Sequence, residues 1–355
     1  MNNDIGRSRF SIGRKIASMF LSATLLATTF TGLGSALVTN ASIEVSAAGD
    51  YGLADSISDG NILHCFNWKL SDITASLAEI AEAGFTSVQT SPVQPHDAEG
   101  IWYWLYQPLG FSVGNDNGSA EDLKALCTEA DKYGIKVIVD VVANHLAGWA
   151  DGRRKDYIQS DLNQDQYFHN TEFNTDANNV DWGNRWQVTH CNIGMPDLNS
   201  EHNYVQQVVA NFVNDLKACG VDGIRWDAAK HIGLPSEDCN FWPAVTAAGL
   251  YNYGEILDGP TNSGNDDKMV EYTKYINVTD DNYCGEITGS IRDGKVSTNT
   301  GKWANRGVNP KNLVYWAESH DTYCNNGWTN GLSEDVMDRS YAVLAARGQI
   351  GRAHV

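Results

Sequence analysis

The 355-residue chain reads as an α/β protein built on a closed parallel barrel, and three observations lead there. Beyond residue 60, short apolar strands alternate with amphipathic helices, which implies a parallel sheet. Four of the strands end in clusters of charged and polar residues. No strand is followed by a GxGxxG or GxxxxGKS/T turn of the kind that cradles phosphate. Residues from the ends of several different strands converge on one site when the sheet closes. An open sheet would instead gather them at one switch point.

Each element has its own warrant. Residues 61–68 (NILHCFNW) form a first strand ending in polar and aromatic residues. Over 70–83, Leu70, Ile73, Leu77, Ile80 and Ala81 recur at helical spacing, and Gly84 closes the helix. A second strand over 85–93 is stopped by Pro92, and a Trp/Tyr-rich loop follows at 101–111. Helix 120–133 ends at Gly134. Residues 135–145 are a continuous apolar run, as a strand buried on both faces should be. The rhythm then breaks. Residues 146–200 are rich in Asp, Asn, Gln and Trp without a period, and so long a structureless loop is uncommon in a compact domain. A small inserted domain is the better reading. Alternation resumes with helix 204–219 and strands 221–226 and 250–256. Helix 268–275, strand 276–279, helix 283–293, strand 312–321 and helix 334–347 complete seven βα-like units.

Composition narrows the function. The net charge is −19, and because the first 47 residues carry four basic and two acidic side chains, the rest carries −21. That surface argues against nucleic acid, whose phosphates need Lys and Arg. It suits neutral substrates and bound divalent cations. Eleven Trp and 15 Tyr fit flat platforms for sugars as well as ordinary core. The N-terminus looks like an export signal: Arg7, Arg9, Arg14 and Lys15 precede an uncharged stretch over 16–38, with small-residue sites ending at Ala36 and Ala47. An uncleaved anchor is the alternative. Later stretches are too short or too polar to span a bilayer. Seven cysteines leave at least one unpaired and read mostly as small buried residues.

Three carboxylates carry the chemistry. Asp227, Glu255 and Asp321 each lie at or just past a predicted strand end. Glycosidic hydrolysis needs two carboxyl groups in different protonation states, one attacking and one donating a proton. Arg225, two residues before Asp227, points to the same strand face and favours the ionised form. Asp227 is therefore the expected nucleophile. Glu255, in a less charged local sequence, is the expected acid. His169, His190 and His202 show no local spacing that fits a zinc site.

Four motifs in order then carry a resemblance over about 60–347: DVVANH from Asp140, GIRWDAAKH from Gly223, GEIL from Gly254 and ESHD from Glu318. The chain resembles the α-amylase family of retaining glycoside hydrolases, and in pattern the secreted bacterial calcium enzymes. The resemblance implies a (β/α)8 TIM barrel with an inserted domain B after strand 3. It implies endo-hydrolysis of internal α-1,4 bonds of an α-glucan such as starch, by double displacement. Asp227 matches the nucleophile, Glu255 the acid/base and Asp321 the stabilising third carboxylate. Arg225 matches the residue that orients the nucleophile, and His145 and His320 the sugar-binding histidines. Tyr103, Tyr106 and Gln107 match the cleft wall, Tyr106 stacking on a glucose ring, and Lys230 and His231 the leaving-group side. A Ca2+ ion would be held by Asn144, Thr189, Asp197 and the His231 carbonyl, all oxygen donors as calcium requires. A glucanotransferase of the same fold and a non-catalytic glucan-binding relative are the competing readings.

The expected organisation is a signal peptide at 1–47, barrel over 48–145 and 201–349, and the insert over 146–200. A tail at 350–355 (IGRAHV) does not read as a strand and resembles a translated sequencing adapter. On this reading the barrel is truncated after its seventh βα unit, without strand 8 or domain C. The protein would be a secreted monomer, free of the membrane once the signal is cleaved.

Overall fold

A computed structural model describes residues 51–98, 100–150, 152–169, 180–257, 266–301, 307–325, 327–347 and 352–354. The expected signal peptide lies outside them, as does the middle of the insert at 170–179. One parallel sheet organises the rest. Its strands are β1 (Asn61–Cys65), β2 (Ser87–Thr90), β5 (Lys136–Val142), β6 (Gly223–Asp227), β7 (Tyr251–Gly254), β8 (Asn277–Thr279) and β9 (Leu313–Val314), neighbouring one another in chain order. A two-residue hairpin pairs β3 (Gly114–Asn115) with β4 (Gly118–Ser119) outside that sheet. The seven strands from β1 to β9 curl as a partial barrel of the TIM type.

Two features depart from expectation. Arg352–His354 forms a further strand, β10, pairing in parallel with β1, so the tail joins the sheet instead of staying out of it. It lies at the β1 edge of the sheet, opposite the β9 edge. The predicted strand over 312–321 is regular only at Leu313–Val314. Its apolar YWA continuation is buried all the same, because it turns inward at the barrel mouth.

The six helices expected from the sequence are present, and two short ones join them among the described residues. α1 (Leu70–Glu82) buries Leu70, Ile73, Leu77, Ile80 and Ala81. α2 (Ala120–Asp131) starts from a capping box in which the Ser119 hydroxyl accepts from Asp122 N while Asp122 accepts from Ser119 N, an arrangement that satisfies two otherwise orphan amides. Between β5 and β6 come α3 (Arg185–His190), a short helix in the insert, and α4 (Asn203–Ala218). α5 (Phe241–Val245), α6 (Asp266–Tyr272), α7 (Asp281–Arg292) and α8 (Glu334–Arg347) follow. β5 and β6 are buried almost end to end. All seven cysteines are free, five of them buried. None of the helices among the described residues is long and apolar enough to cross a membrane.

Candidate active site

Strand register builds the site. Asp140 on β5 is opposite Arg225 on β6, and Arg225 is opposite Tyr253 on β7. Alternate residues of a strand share a face, so Arg225 and Asp227 point one way and Trp226 the other. Trp226 packs edge-on against Phe241 and Trp242 and donates to Asn252 Oδ1 at 2.9 Å. The buried Arg225 guanidinium is the hub of the inner face. Its Nη1 donates to both Asp140 oxygens at 2.9 and 3.0 Å and to Asp227 Oδ1 at 2.7 Å, and its Nη2 lies 3.2 Å from Glu255 Oε1. A buried cation is tolerated only when it is paired and hydrogen-bonded, and three carboxyls do that here.

Arg225 lies against Asp227 as its place on the strand implied, and the guanidinium touches Glu255 as well. What separates the two acids is how Arg225 meets them. Burial raises the pKa of each, and Arg225 opposes that in both. Asp227 accepts a direct hydrogen bond from the guanidinium at 2.7 Å, whereas Glu255 is an ion-pair partner at 3.2 Å. The two carboxyls repel each other mutually, and the closer bond to Arg225 favours Asp227 as the ionised one and Glu255 as the one that keeps its proton. Its other oxygen accepts from Ala228 N at 3.0 Å, which fixes the carboxyl beside β6. Ala228 itself sits in a left-handed conformation, φ 48°, where the chain turns out of β6.

Asp321 closes the mouth from beyond β9, with burial raising its pKa. His320 precedes it, its ring sandwiched between Tyr106 (centroids 4.8 Å apart) and Phe66 (5.1 Å). Burial lowers His320 to about 3, so it is neutral. The cavity between these strand ends is lined by Arg225, Glu255, His320 and Asp321, and also by His64, Asp281 and Trp316.

The other expected wall residues fare differently. Tyr106 is buried, donates to Asp140 Oδ2 at 3.0 Å, and has one ring face covered by His320. At most one face is left for a sugar. Tyr103 is 42% exposed and packs on Trp102 and Trp104. Gln107 follows the same turn, half-buried, its amide donating to Trp104 O. His145 is buried beside Asn144, just past the end of β5. Its Nε2 donates to Tyr106 O at 3.0 Å and its Nδ1 lies 3.4 Å from Asn144 Nδ2, so both nitrogens serve the protein. Lys230 donates to Leu257 O at 2.6 Å and lies 5.0 Å above the ring of Trp182.

Sequence reasoning passed over three residues here. Asp140 was seen only as part of a motif, yet it is fully buried on the guanidinium, and burial pushes its pKa up to about 7. Asp281, at the start of α7, is pushed up to about 7 by burial and by Glu255. Its signal was the acidic pair at the head of a helix. Trp182 reaches from the insert to Lys230 and His231, and nothing set it apart from the other tryptophans.

The insert meets the barrel where a cation could sit. Asp197 bridges to His145 in backbone pairing, and Leu198 N donates to Asn144 O at 2.8 Å. The Asp197 carboxyl is 2% exposed, burial pushes it up to about 7, and the Asn144 side chain bears on it. Its Oδ1 has no hydrogen-bond partner among the described residues. His231 Nδ1 donates to Val188 O at 2.7 Å, which ties the last turn of α3, next to Thr189, to His231. Helix C-terminal carbonyls lack intrahelical partners. A buried carboxylate with an orphaned oxygen among amide and carbonyl oxygens fits a hard divalent cation. Arg185 fastens the same junction. It donates to Lys230 O at 2.5 Å and Ile232 O at 3.5 Å, pairs with both Glu237 oxygens at 2.9 Å, and reaches Tyr272 OH at 2.9 Å.

The three histidines without local zinc spacing divide in the structure. His202 caps α4, its Nδ1 accepting from Tyr204 N. His169 and His190 instead come together with Glu201, across 32 residues of sequence that no local spacing could reveal.

Comparison with known proteins follows the same outline. Residues 54–324 match the family model "Alpha amylase, catalytic domain". The chain is 35% identical over 314 residues to an α-amylase of Clostridium acetobutylicum, covering 83% of this chain and 40% of that one. It is 31% identical over 345 residues to an α-amylase of Butyrivibrio fibrisolvens, covering 82% and 34%. The chain thus spans well under half the length of these relatives. The crystal structure of α-amylase I from Eisenia fetida superposes with a TM-score of 0.69 at 23% identity, over 83% of this chain and 66% of that one.

Proposed function

Because the chain belongs to the α-amylase family through its catalytic domain, we propose that it is a secreted, retaining endo-hydrolase of internal α-1,4 bonds in starch, glycogen and maltooligosaccharides. The observation that carries this reading is the single guanidinium of Arg225 in contact with both Asp227 and Glu255. Retaining glycosidases hold their two carboxyls about 5–5.5 Å apart and inverting ones farther. One guanidinium touching both favours the closer spacing.

In the mechanism, Asp227 attacks the anomeric carbon as the carboxylate held by Arg225. Glu255, kept protonated by burial and by two neighbouring carboxylates, donates to the departing glycosidic oxygen. The glycosyl–Asp227 ester forms as that bond breaks. Glu255, now ionised, takes a proton from the incoming water, which hydrolyses the ester and restores both groups. Asp321 faces the developing positive charge of the sugar, and neutral His320 beside it offers a hydrogen bond to a hydroxyl. Lys230 and Trp182 border the side where the leaving sugar departs. Asn144, Thr189, Asp197 and the His231 carbonyl would hold calcium, whose charge would fix the insert against the barrel. The basic and uncharged N-terminal pattern supports export.

The test is the anomeric form first released from maltoheptaose, followed by proton NMR. The α-anomer is expected. First appearance of the β-anomer overturns the double displacement, and products longer than the substrate would assign the chain to glucan transfer.

A further inference from the structure

We propose that the insert carries a second metal site, separate from the calcium position, for a zinc-type divalent transition ion ligated by His169, His190 and Glu201. One ligand atom from each lies within 4.8 Å of the others. The hydrogen bonds orient the two imidazoles as such a site requires. His169 Nδ1 donates to Asp197 Oδ2 at 2.6 Å, and its Nε2 meets Glu201 Oε2 at 2.6 Å. His190 Nδ1 lies 3.0 Å from Trp186 O, and its Nε2 faces Glu201 Oε1 at 3.9 Å. Metal-binding histidines characteristically give their second ring N–H to a carboxylate or a carbonyl, which fixes the tautomer and the ring direction. Here one ring has each. Glu201 Oε1 is buried and has no hydrogen-bond partner among the described residues.

The donor set selects the ion. Two imidazoles and one carboxylate suit zinc and its neighbours, whereas calcium takes oxygen alone. Metal–ligand bonds of about 2.0–2.2 Å in a tetrahedron place ligand atoms about 3.3 Å apart. Reaching that needs Glu201 and His190 to turn together, with the metal replacing the proton between His169 and Glu201. Both side chains are one quarter exposed, which leaves them room to do so and leaves a fourth position to water. The ion would tie the segment at 169, the end of α3 and the approach to α4 into one knot. The shared neighbour Asp197 would link it to the calcium position.

Cobalt(II) is the probe. The full chain is stripped of metal, resupplied with millimolar calcium and titrated with Co2+. One equivalent should give the intense visible d–d bands of a tetrahedral centre, and zinc should displace it and raise the melting temperature. His190→Gln should weaken cobalt binding by more than about tenfold, while His202→Gln leaves it unchanged. If far-UV circular dichroism shows H190Q unfolded, Glu201→Gln is judged by the same criterion. Absence of saturable one-equivalent binding, displacement of cobalt by calcium, or equal affinity in wild type and H190Q overturns the proposal.

Discussion

Replacing Arg225 with Lys keeps one positive charge and removes a planar fork. The guanidinium makes two contacts to Asp140, one to Asp227 and one to Glu255. An ammonium group on a shorter reach can keep the Asp140 pair and, at best, one of the other two, so the swap is not conservative. A charge-assisted hydrogen bond contributes about 1.5–3 kcal/mol. Losing one from the reacting carboxylates therefore predicts a fall in kcat/KM of roughly 10- to 150-fold, at about 1.36 kcal/mol per tenfold. The sign of the pH effect also follows. Arg225 is the largest influence lowering the pKa of both Asp227 and Glu255. Weakening it moves both upward, and the whole bell-shaped profile should shift to higher pH. Steady-state kinetics on maltoheptaose across pH, with melting curves as a folding control, measure this. A folded Arg225→Lys enzyme with kcat/KM within threefold of wild type and an unmoved profile would refute the hub assignment.

Three further outcomes are expected. Glu255→Gln should lower kcat by about 10²- to 10⁴-fold while isothermal titration shows maltooligosaccharide binding preserved; activity near wild type would remove Glu255 from the acid/base role. Asp197 has its folded pKa raised to about 7 from 3.8, so in the metal-free chain its contribution to stability is fully present below about pH 4 and lost as pH rises through 7. Calcium, which needs the ionised form, should therefore bind more tightly across that same interval, and the gap between melting temperatures with calcium and with chelator should widen with pH. Trp226→Phe leaves Asn252 Oδ1 without its buried donor, at a cost of about 1–3 kcal/mol, read as a lowered urea midpoint; a midpoint equal to wild type would show that the bond contributes nothing.

Local period explains what the sequence alone made visible. The residues of α1 that recur at helical spacing are all buried, and the unbroken apolar run before Asn144 became β5, covered on both faces. Clusters at strand ends were legible because chain order and barrel closure bring them together. Elsewhere the controlling contacts are distant. The run at 312–321 has strand-like composition, but its later residues, Trp316 and 318–321, line the cavity. The insert has no period because side-chain pairs hold it: Lys155 with Asp97, Arg154 with Asp165, and His169 with Asp197 and Glu201. The tail was misread because three residues carry too little pattern to announce a strand, and the open edge of β1 supplied the partner. Within the site, the carboxylates could be named in advance. That Arg225 serves Asp140 and Glu255 as well could not, since it depends on register across three strands.

Arg185 sets a timetable as well as a junction. Its acceptors lie 45, 47, 52 and 87 residues further along the chain. At roughly 5–20 residues per second of synthesis, the last of them, Tyr272, leaves the ribosome about 4–17 s after Arg185 does. Glu237 and the two carbonyls, 45–52 residues on, emerge earlier, after about 2–10 s, so the shell around the arginine fills in stages with the tyrosine last. The segment that shapes one wall of the cleft is thus set in place late, after the strands on either side of it have been laid down.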